Sequence, residues 1–246
     1  MKIKKLIYLI YDNVKTLVGA LIIAILIRSF LFQPFYIPSS SMEPTLLVGD
    51  RIFVSKYIYG YSKHSFPFSP DITNKRFFSK SPKRGDLVVF KTPADNRTDY
   101  IKRLIGMPGD TIQFLNGNLY INDKKILRKQ SKKKLVIRCG NFLLKTNTYT
   151  ETLPNGLQHL VVYKKNGSLQ NSKKFKVPLD HYFLLGDNRD CSKDSRYLKS
   201  VGYVNELNLV GKAKVIFFSN DTNISSLLKF WNINKSFRFE RLFKGL

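Results

Sequence analysis

The chain is poor in the residues that most often carry enzyme chemistry or covalent staples. Its 246 residues include 2 cysteines, 3 histidines and 1 tryptophan. Two cysteines, Cys139 and Cys191, exclude a multi-bridge disulfide scaffold and a zinc ribbon, and neither is expected to be required. A single bridge remains open if the domain faces an oxidising compartment, although it would constrain the loop around Cys191. His64, His159 and His181 fall outside every motif found below, which argues against a Ser-His-Asp triad. Acidic residues are scarce too, 17 Asp+Glu against 42 Lys+Arg, for a formal net charge of +25. Such a balance reflects either a polyanionic neighbour, nucleic acid or an anionic membrane surface, or a lysine bias spread over solvated loops. Membrane lipid plus bias is favoured, with no nucleic acid expected, because the chain carries one candidate anchor. Internal repeats and sustained helical periodicity are missing, which excludes a helical domain.

Long apolar runs are missing as well, with one exception. Leu17 to Ile27 carries no polar side chain, and 14–33 makes 20 residues, about the length of a membrane-crossing helix. Lys2, Lys4 and Lys5 precede it, which places the N-terminus in the cytoplasm and the rest of the chain on the far side. Arg28, near the far end, can extend to the interface. A cleavable leader is the competing reading, since Ser39-x-Ser41 imitates a small-x-small cleavage site. The length of the apolar stretch and the lack of Ala-x-Ala favour an uncleaved anchor.

Beyond the anchor the chain is strand-like. Arg51 to Lys56 and Asp86 to Lys91 are β-branched and aromatic runs, each entered through a Gly-Asp pair. Residues 57–83 form a long loop whose Phe66, Phe68, Phe77 and Phe78 either dip into the membrane interface or pack beneath it. Thr111 to Leu115 and Asn118 to Asn122 flank Asn116-Gly117, a two-residue hairpin signal. Residues 123–180 form a Lys/Asn-rich insertion with weak strands at Phe142 to Lys145 and Leu160 to Tyr163 around a Pro154-Asn155-Gly156 turn. Tyr182 to Leu185 and Gly211 to Phe218 suit core strands. The tail mixes Phe230, Trp231, Phe237, Phe239 and Phe243 with Lys235, Arg238, Arg241 and Lys244, and either lies on a bilayer or packs on the domain. The expected organisation is therefore mainly β: a cytoplasmic segment 1–13, a single transmembrane helix 14–33, an antiparallel catalytic sheet in two parts, 34–122 and 181–224, an inserted accessory β-region 123–180 of satellite character, and a basic-aromatic tail 225–246.

Three stretches carry chemistry. Pro38-Ser39-Ser40-Ser41-Met42-Glu43-Pro44-Thr45-Leu46 places three serines between two prolines that bias the segment toward extension, so that Ser39 and Ser41 share one side. Tyr100-Ile101-Lys102-Arg103-Leu104-Ile105-Gly106-Met107-Pro108-Gly109-Asp110 is a strand closed by a Pro-Gly type II turn. Gly186-Asp187-Asn188-Arg189-Asp190-Cys191-Ser192-Lys193-Asp194-Ser195-Arg196-Tyr197 carries three aspartates that invite a calcium-loop reading; its Arg189 and Arg196, and the lack of an EF-hand glycine, favour internal ion pairs instead. Neither metal nor other cofactor is expected.

Together these stretches resemble the bacterial type I signal peptidase (leader peptidase) family, whose serine lies in P-S-x-S-M-x-P-T-L and whose lysine lies in K-R-x-x-G-x-P-G-D. The resemblance runs in blocks from about Ile27 to Val215. It implies a serine endopeptidase with Ser41 as nucleophile and Lys102 as general base, and an oxyanion hole from the Ser41 N–H and the Ser39 hydroxyl. It implies that Ser192 hydrogen-bonds Lys102, and that Asp194, Arg196, Arg103 and Asp187 brace the site. Phe35, Tyr36, Ile37 and Met42 would contact an exported pre-protein cut after small residues, and the enzyme would work as a monomer on the outer side of the bacterial cytoplasmic membrane. A lysine serves as base only when neutral, so burial must lower its pKa. Strand alternation puts Lys102 on the face of Tyr100 and Leu104, with Arg103 on the other face adding like-charge depression. The sequence departs from the family at Leu198-Lys199-Ser200, in place of an aromatic-glycine pair, and at Cys191, often asparagine. The alternatives are a self-cleaving repressor-type Ser/Lys protease, which lacks its DNA-binding helices here, and a non-catalytic tethered basic β-domain binding anionic lipid or nucleic acid.

Overall fold

The computed structural model describes residues 2–71, 73–131, 135–140, 142–164, 171–221 and 237–246. Helix α1, Lys2–Leu26, runs into a π-helical turn, Ile27–Leu31, and Ile10–Leu31 is apolar and long enough to cross a membrane. The expected span of 14–33 needs correction at both ends. The membrane-length apolar window begins at Ile10, within a helix that runs from Lys2, while Phe32 and Gln33 already belong to strand β1, Phe32–Tyr36. Pro34 has no N–H to give a helix, and β-branched and aromatic neighbours favour extension.

The strands follow in chain order. β2 is Asp50–Ser55, β3 Leu87–Lys91, β4 Asp99–Gly106, β5 Thr111–Leu115, β6 Asn118–Ile121, β7 Lys124–Lys125 and β8 Leu127–Gln130. β9 is Leu135–Cys139, β10 Phe142–Thr152, β11 Gln158–Lys164 and β12 Phe175–Lys176. β13 is His181–Leu185, β14 Val204–Asn205, β15 Leu209–Ser219 and β16 Lys244–Gly245. Among the described residues the fold is thus mainly β, with every described pair of neighbouring strands antiparallel. The large sheet runs β1-β2-β15-β3-β4-β13-β14, with β16 also on β15. Two four-stranded sheets, β11-β10-β8 with β9 on β10 and β12-β5-β6-β7, come mostly from the insertion and the hairpin.

One local device recurs at the strand entrances. Leu47, Lys83 and Met107 each start a four-residue turn whose third residue, Gly49, Gly85 or Gly109, has φ of 96°, 93° or 85°. The aspartate that closes each turn accepts the N–H of the first residue: Asp50 from Leu47, Asp86 from Lys83, Asp110 from Met107. A side chain at φ near +90° would be strained, so glycine sets the reversal and aspartate locks it.

The insertion is not a satellite. Its Leu153, Phe175 and Val177 share a buried cluster with Ile105, Phe183 and Leu185 of the large sheet. Its strand β11 makes a parallel bridge, Val162 to Asn188, onto the third motif. The single bridge left open by the sequence forms: Cys139 and Cys191 are disulfide-bonded, tying the end of β9 to that motif. The described part of the tail packs on the domain, with Arg241 paired to buried Asp50 and β16 on β15. The expectations for Phe230, Trp231 and Lys235 lie outside the described residues.

Candidate active site

Ser41 sits on a 3-10 turn, Ser40–Met42, immediately after extended Ser39. The expected all-extended segment is therefore broken at Ser40, yet the turn leaves the Ser39 and Ser41 hydroxyls 3.4 Å apart. Met42, next to Ser41, is fully buried with Ile37, Leu46 and Ile52. That apolar plug holds the turn from below.

Lys102 comes from the middle of β4, where it lies opposite Val88 of β3. It is 3 % exposed, and its Nζ is 2.6 Å from Ser41 Oγ and 2.9 Å from the Ile101 carbonyl. The Tyr100 ring centroid is 5.3 Å from Nζ. Burial lowers its pKa from 10.5 to about 8, against the opposing pull of Asp194 and Asp187 and with help from Arg196. The like-charge contribution expected of Arg103 comes from Arg196 instead. Arg103 turns away and is held by Asp187 through two bonds, 2.8 Å and 2.7 Å.

The third motif supplies the rest. Asp187 also accepts from Thr45 at 2.5 Å, and although burial pushes its carboxyl up, Arg103 beside it holds it below the usual range. Asp194 pairs with Arg196 and accepts the Gly186 N–H. Gly186 admits no side chain, since a Cβ there would lie 2.2 Å from Ser192 Oγ and 2.5 Å from the Ser41 carbonyl. Ser192 is buried close by, but it makes no hydrogen bond to Lys102, so the bond implied by resemblance is absent in this state.

Pattern reading overlooked two further supports. The Asn188 N–H donates to the Ser41 carbonyl and its Nδ2 to the Ser40 carbonyl, so the charged loop clasps the serine turn directly. Arg189 makes a fully buried pair with Glu151 of β10, and Tyr163 of β11 lies 2.8 Å from the same guanidinium. Nothing local in the sequence links Glu151 to this loop; only the unusual concentration of charge in 186–197 hinted that partners were needed.

The serine and lysine open onto a cavity of about 390 Å³ lined by Phe35, Tyr36, Ile37, Tyr100, Ile101 and Cys191, among others. Its walls are mostly apolar, and β1, the terminal strand of the large sheet, forms one of them. Of the histidines, His159 alone lies near the bracing charges, 4.0 Å from Asp187. His64 bonds Ser69, His181 bonds the Leu179 carbonyl, and His159 is buried 3.7 Å from Glu151 with its pKa lowered by burial to about 4. Among the described residues no cluster of three His, Cys, Asp or Glu could hold a metal.

A buried lysine touching a serine at the mouth of an apolar groove, on an antiparallel sheet behind a membrane-length helix, defines a class of anchored hydrolase. Residues 10–218 match the family model described as signal peptidase, peptidase S26, and the chain belongs to that family. It is similar to signal peptidase I of Rickettsia typhi, 42 % identical over 245 residues covering 91 % of this chain and 89 % of that one. Signal peptidase I of Rickettsia bellii is 39 % identical over 249 residues, 94 % of this chain and 84 % of that one. A crystal structure of a signal peptidase I from Enterococcus faecalis V583 covers 54 % of this chain and 97 % of that chain at 27 % identity, with a TM-score of 0.32 that carries no weight for the fold.

Proposed function

We propose that this peptidase removes N-terminal signal peptides from exported pre-proteins through a Ser41/Lys102 dyad. The observation that carries the reading is the 2.6 Å contact between Ser41 Oγ and a lysine that burial brings near neutrality. In its neutral form Lys102 Nζ accepts the Ser41 hydroxyl proton as Oγ attacks the scissile carbonyl. The Ser41 N–H and the Ser39 hydroxyl stabilise the oxyanion, and the Lys102 ammonium returns the proton to the leaving amine. A water then uses the same nitrogen as base to release the acyl group from Ser41. Asp187, Arg103, Asp194 and Arg196 hold the loop around the dyad, and Ser192 lies within its buried shell.

An extended substrate segment is read as adding along β1 toward Ser39, with Phe35, Tyr36 and Ile37 against its side chains. A groove closed by aromatic and aliphatic walls supports a preference for small residues before the cut. The basic residues ahead of α1 support a cytoplasmic N-terminus, and a disulfide beside the groove supports an oxidising, extracytoplasmic compartment for the domain. The bacterial cytoplasmic membrane and a monomeric state complete the reading. The test is cleavage of a signal-bearing pre-protein in vesicles. Wild type must cut once after a small residue, and Ser41→Ala and Lys102→Ala must not; comparable cutting by Lys102→Ala would place the base elsewhere.

A further inference from the structure

A second cavity, of about 480 Å³ and mostly polar, lies between the end of the membrane helix and the aromatic loop. Phe30 packs edge-on against Tyr61 and Phe66, and the Tyr61 hydroxyl donates to the Phe30 carbonyl, so the loop is fastened to the last turn of the anchor. The cavity therefore sits at the height where the helix leaves the hydrocarbon. Its lining brings Arg28, Lys63, Lys91 and Arg97 together against Asp95 and Asp99. Lys91 is held by Asp99 and Lys63 by Asp71, whereas Arg28 and Arg97 form no ion pair among the described residues. Asp95 is occupied by its own loop, accepting from Thr92, Thr98 and the Arg97 N–H. The positive field reaches buried neighbours: Arg28 helps lower Lys56, and Lys63 and Lys91 help lower His64, in both cases after burial itself.

The rim is aromatic and points outward. Phe68, one of the lining residues, is wholly exposed and has φ of 63°, a left-handed backbone uncommon for bulky residues. Aromatic side chains beside free guanidinium groups at a helix exit match the polar-apolar boundary of a bilayer.

We propose that this cavity binds the phosphodiester headgroup of an anionic phospholipid in the outer leaflet, with Arg28 and Arg97 as its phosphate ligands. A guanidinium fork suits phosphate oxygens, and the aromatic rim seats in the acyl boundary beside it. The cavity borders the substrate groove at Phe35 and Asp99 but does not include Ser41 or Lys102, and its placement in the outer leaflet rests on the membrane orientation proposed above.

The test uses the full chain in neutral detergent, titrated with phosphatidylglycerol or phosphatidylcholine and read by native mass spectrometry. Wild type should retain phosphatidylglycerol about tenfold more tightly than phosphatidylcholine, or about 1.4 kcal/mol. Arg28→Gln/Arg97→Gln should abolish that preference, Arg28→Lys/Arg97→Lys should keep part of it, and Lys173→Gln/Lys176→Gln, with the same loss of charge on another sheet, should keep all of it. Equal loss in the two glutamine variants would reduce the effect to diffuse charge and overturn the site. Displacement by glycerol phosphate at equal concentration would overturn the lipid in favour of a free anion, and absence of any preference in wild type would overturn both. Thermal unfolding of each variant, matched to wild type, separates lost binding from lost fold.

Discussion

Two lysines are buried to the same degree in this protein and behave differently. Lys102 is 3 % exposed and Lys56 is 2 % exposed, and burial lowers both to about 8. Lys56, just beyond β2, donates at 2.5 Å to the Ser65 carbonyl, a group with no proton to give up. Lys102 faces a hydroxyl at the mouth of an apolar groove and is surrounded by Asp187, Asp194 and Arg196, which are themselves bound to fixed partners. A lowered pKa is thus a property of burial, whereas a general base also needs an acidic hydrogen within reach and space for a substrate.

The sharpest way to break the comparison is to exchange the two lysines' fates. Lys102→Ala and Ser41→Ala should each lower kcat/KM on the order of 10³-fold or more, while Lys56→Met should stay within several-fold of wild type. Wild-type and Lys56→Met activity should both rise with pH toward a plateau above about 8, as the free enzyme's lysine loses its proton. Disappearance of that limb in Lys56→Met would transfer the titration to the wrong lysine.

The charges that frame Lys102 give the next largest effect. Arg103→Ala leaves Asp187 buried with its main partner gone and should cost about 3–5 kcal/mol in urea unfolding. A loss below 1 kcal/mol would mean that Thr45 and solvent satisfy Asp187 without the arginine.

Opening the Cys139–Cys191 bridge, by Cys139→Ser/Cys191→Ser, removes a link between residues 52 apart and should cost about 2–4 kcal/mol. Because Asn188 and Glu151 hold the same loop, the variant should remain active at low temperature; complete loss of activity in a folded variant would make the bridge part of the site's geometry.

Lys102→Met should stabilise the protein on the order of 2–3 kcal/mol at neutral pH. The ammonium is the form that burial disfavours, so the penalty is complete below about pH 8 and fades as pH rises to the unfolded value of 10.5. The gap in melting temperature between Lys102→Met and wild type should close across that interval. The smallest effect belongs to Ser192→Ala, which should change kcat/KM by less than about tenfold, because no hydrogen bond joins it to Lys102. A larger fall would show that the bond forms once substrate is bound.

Much of the site was legible in the order of residues. Ser41 and Lys102 were singled out by the resemblance of their motifs to a family, and Phe35, Tyr36 and Ile37 lie where the chain enters the serine turn. Local patterning also located the strands at 51–56, 86–91 and 111–122, since two-residue alternation and Gly-Asp or Asn-Gly reversals are short-range signals. The burial of Met42 was not legible locally, because the turn at Ser40 directs it into the core. Arg103 misled because adjacency in sequence was taken for adjacency of charge, whereas neighbouring strand residues point to opposite faces.

The sequence by itself determined an anchor-length helix and a mainly β chain behind it, because each is written in hydropathy or period along a continuous run, whereas the serine and lysine proposed as a dyad were singled out by resemblance to family motifs. The tertiary structure decided the disulfide, the Arg103–Asp187 clamp across 84 residues, the Arg189–Glu151 pair across 38 and the union of Arg28 with Arg97 in one basic cavity. Those pairings depend on which strands neighbour one another, and sheet order is set by the burial of whole faces rather than by any local run of residues.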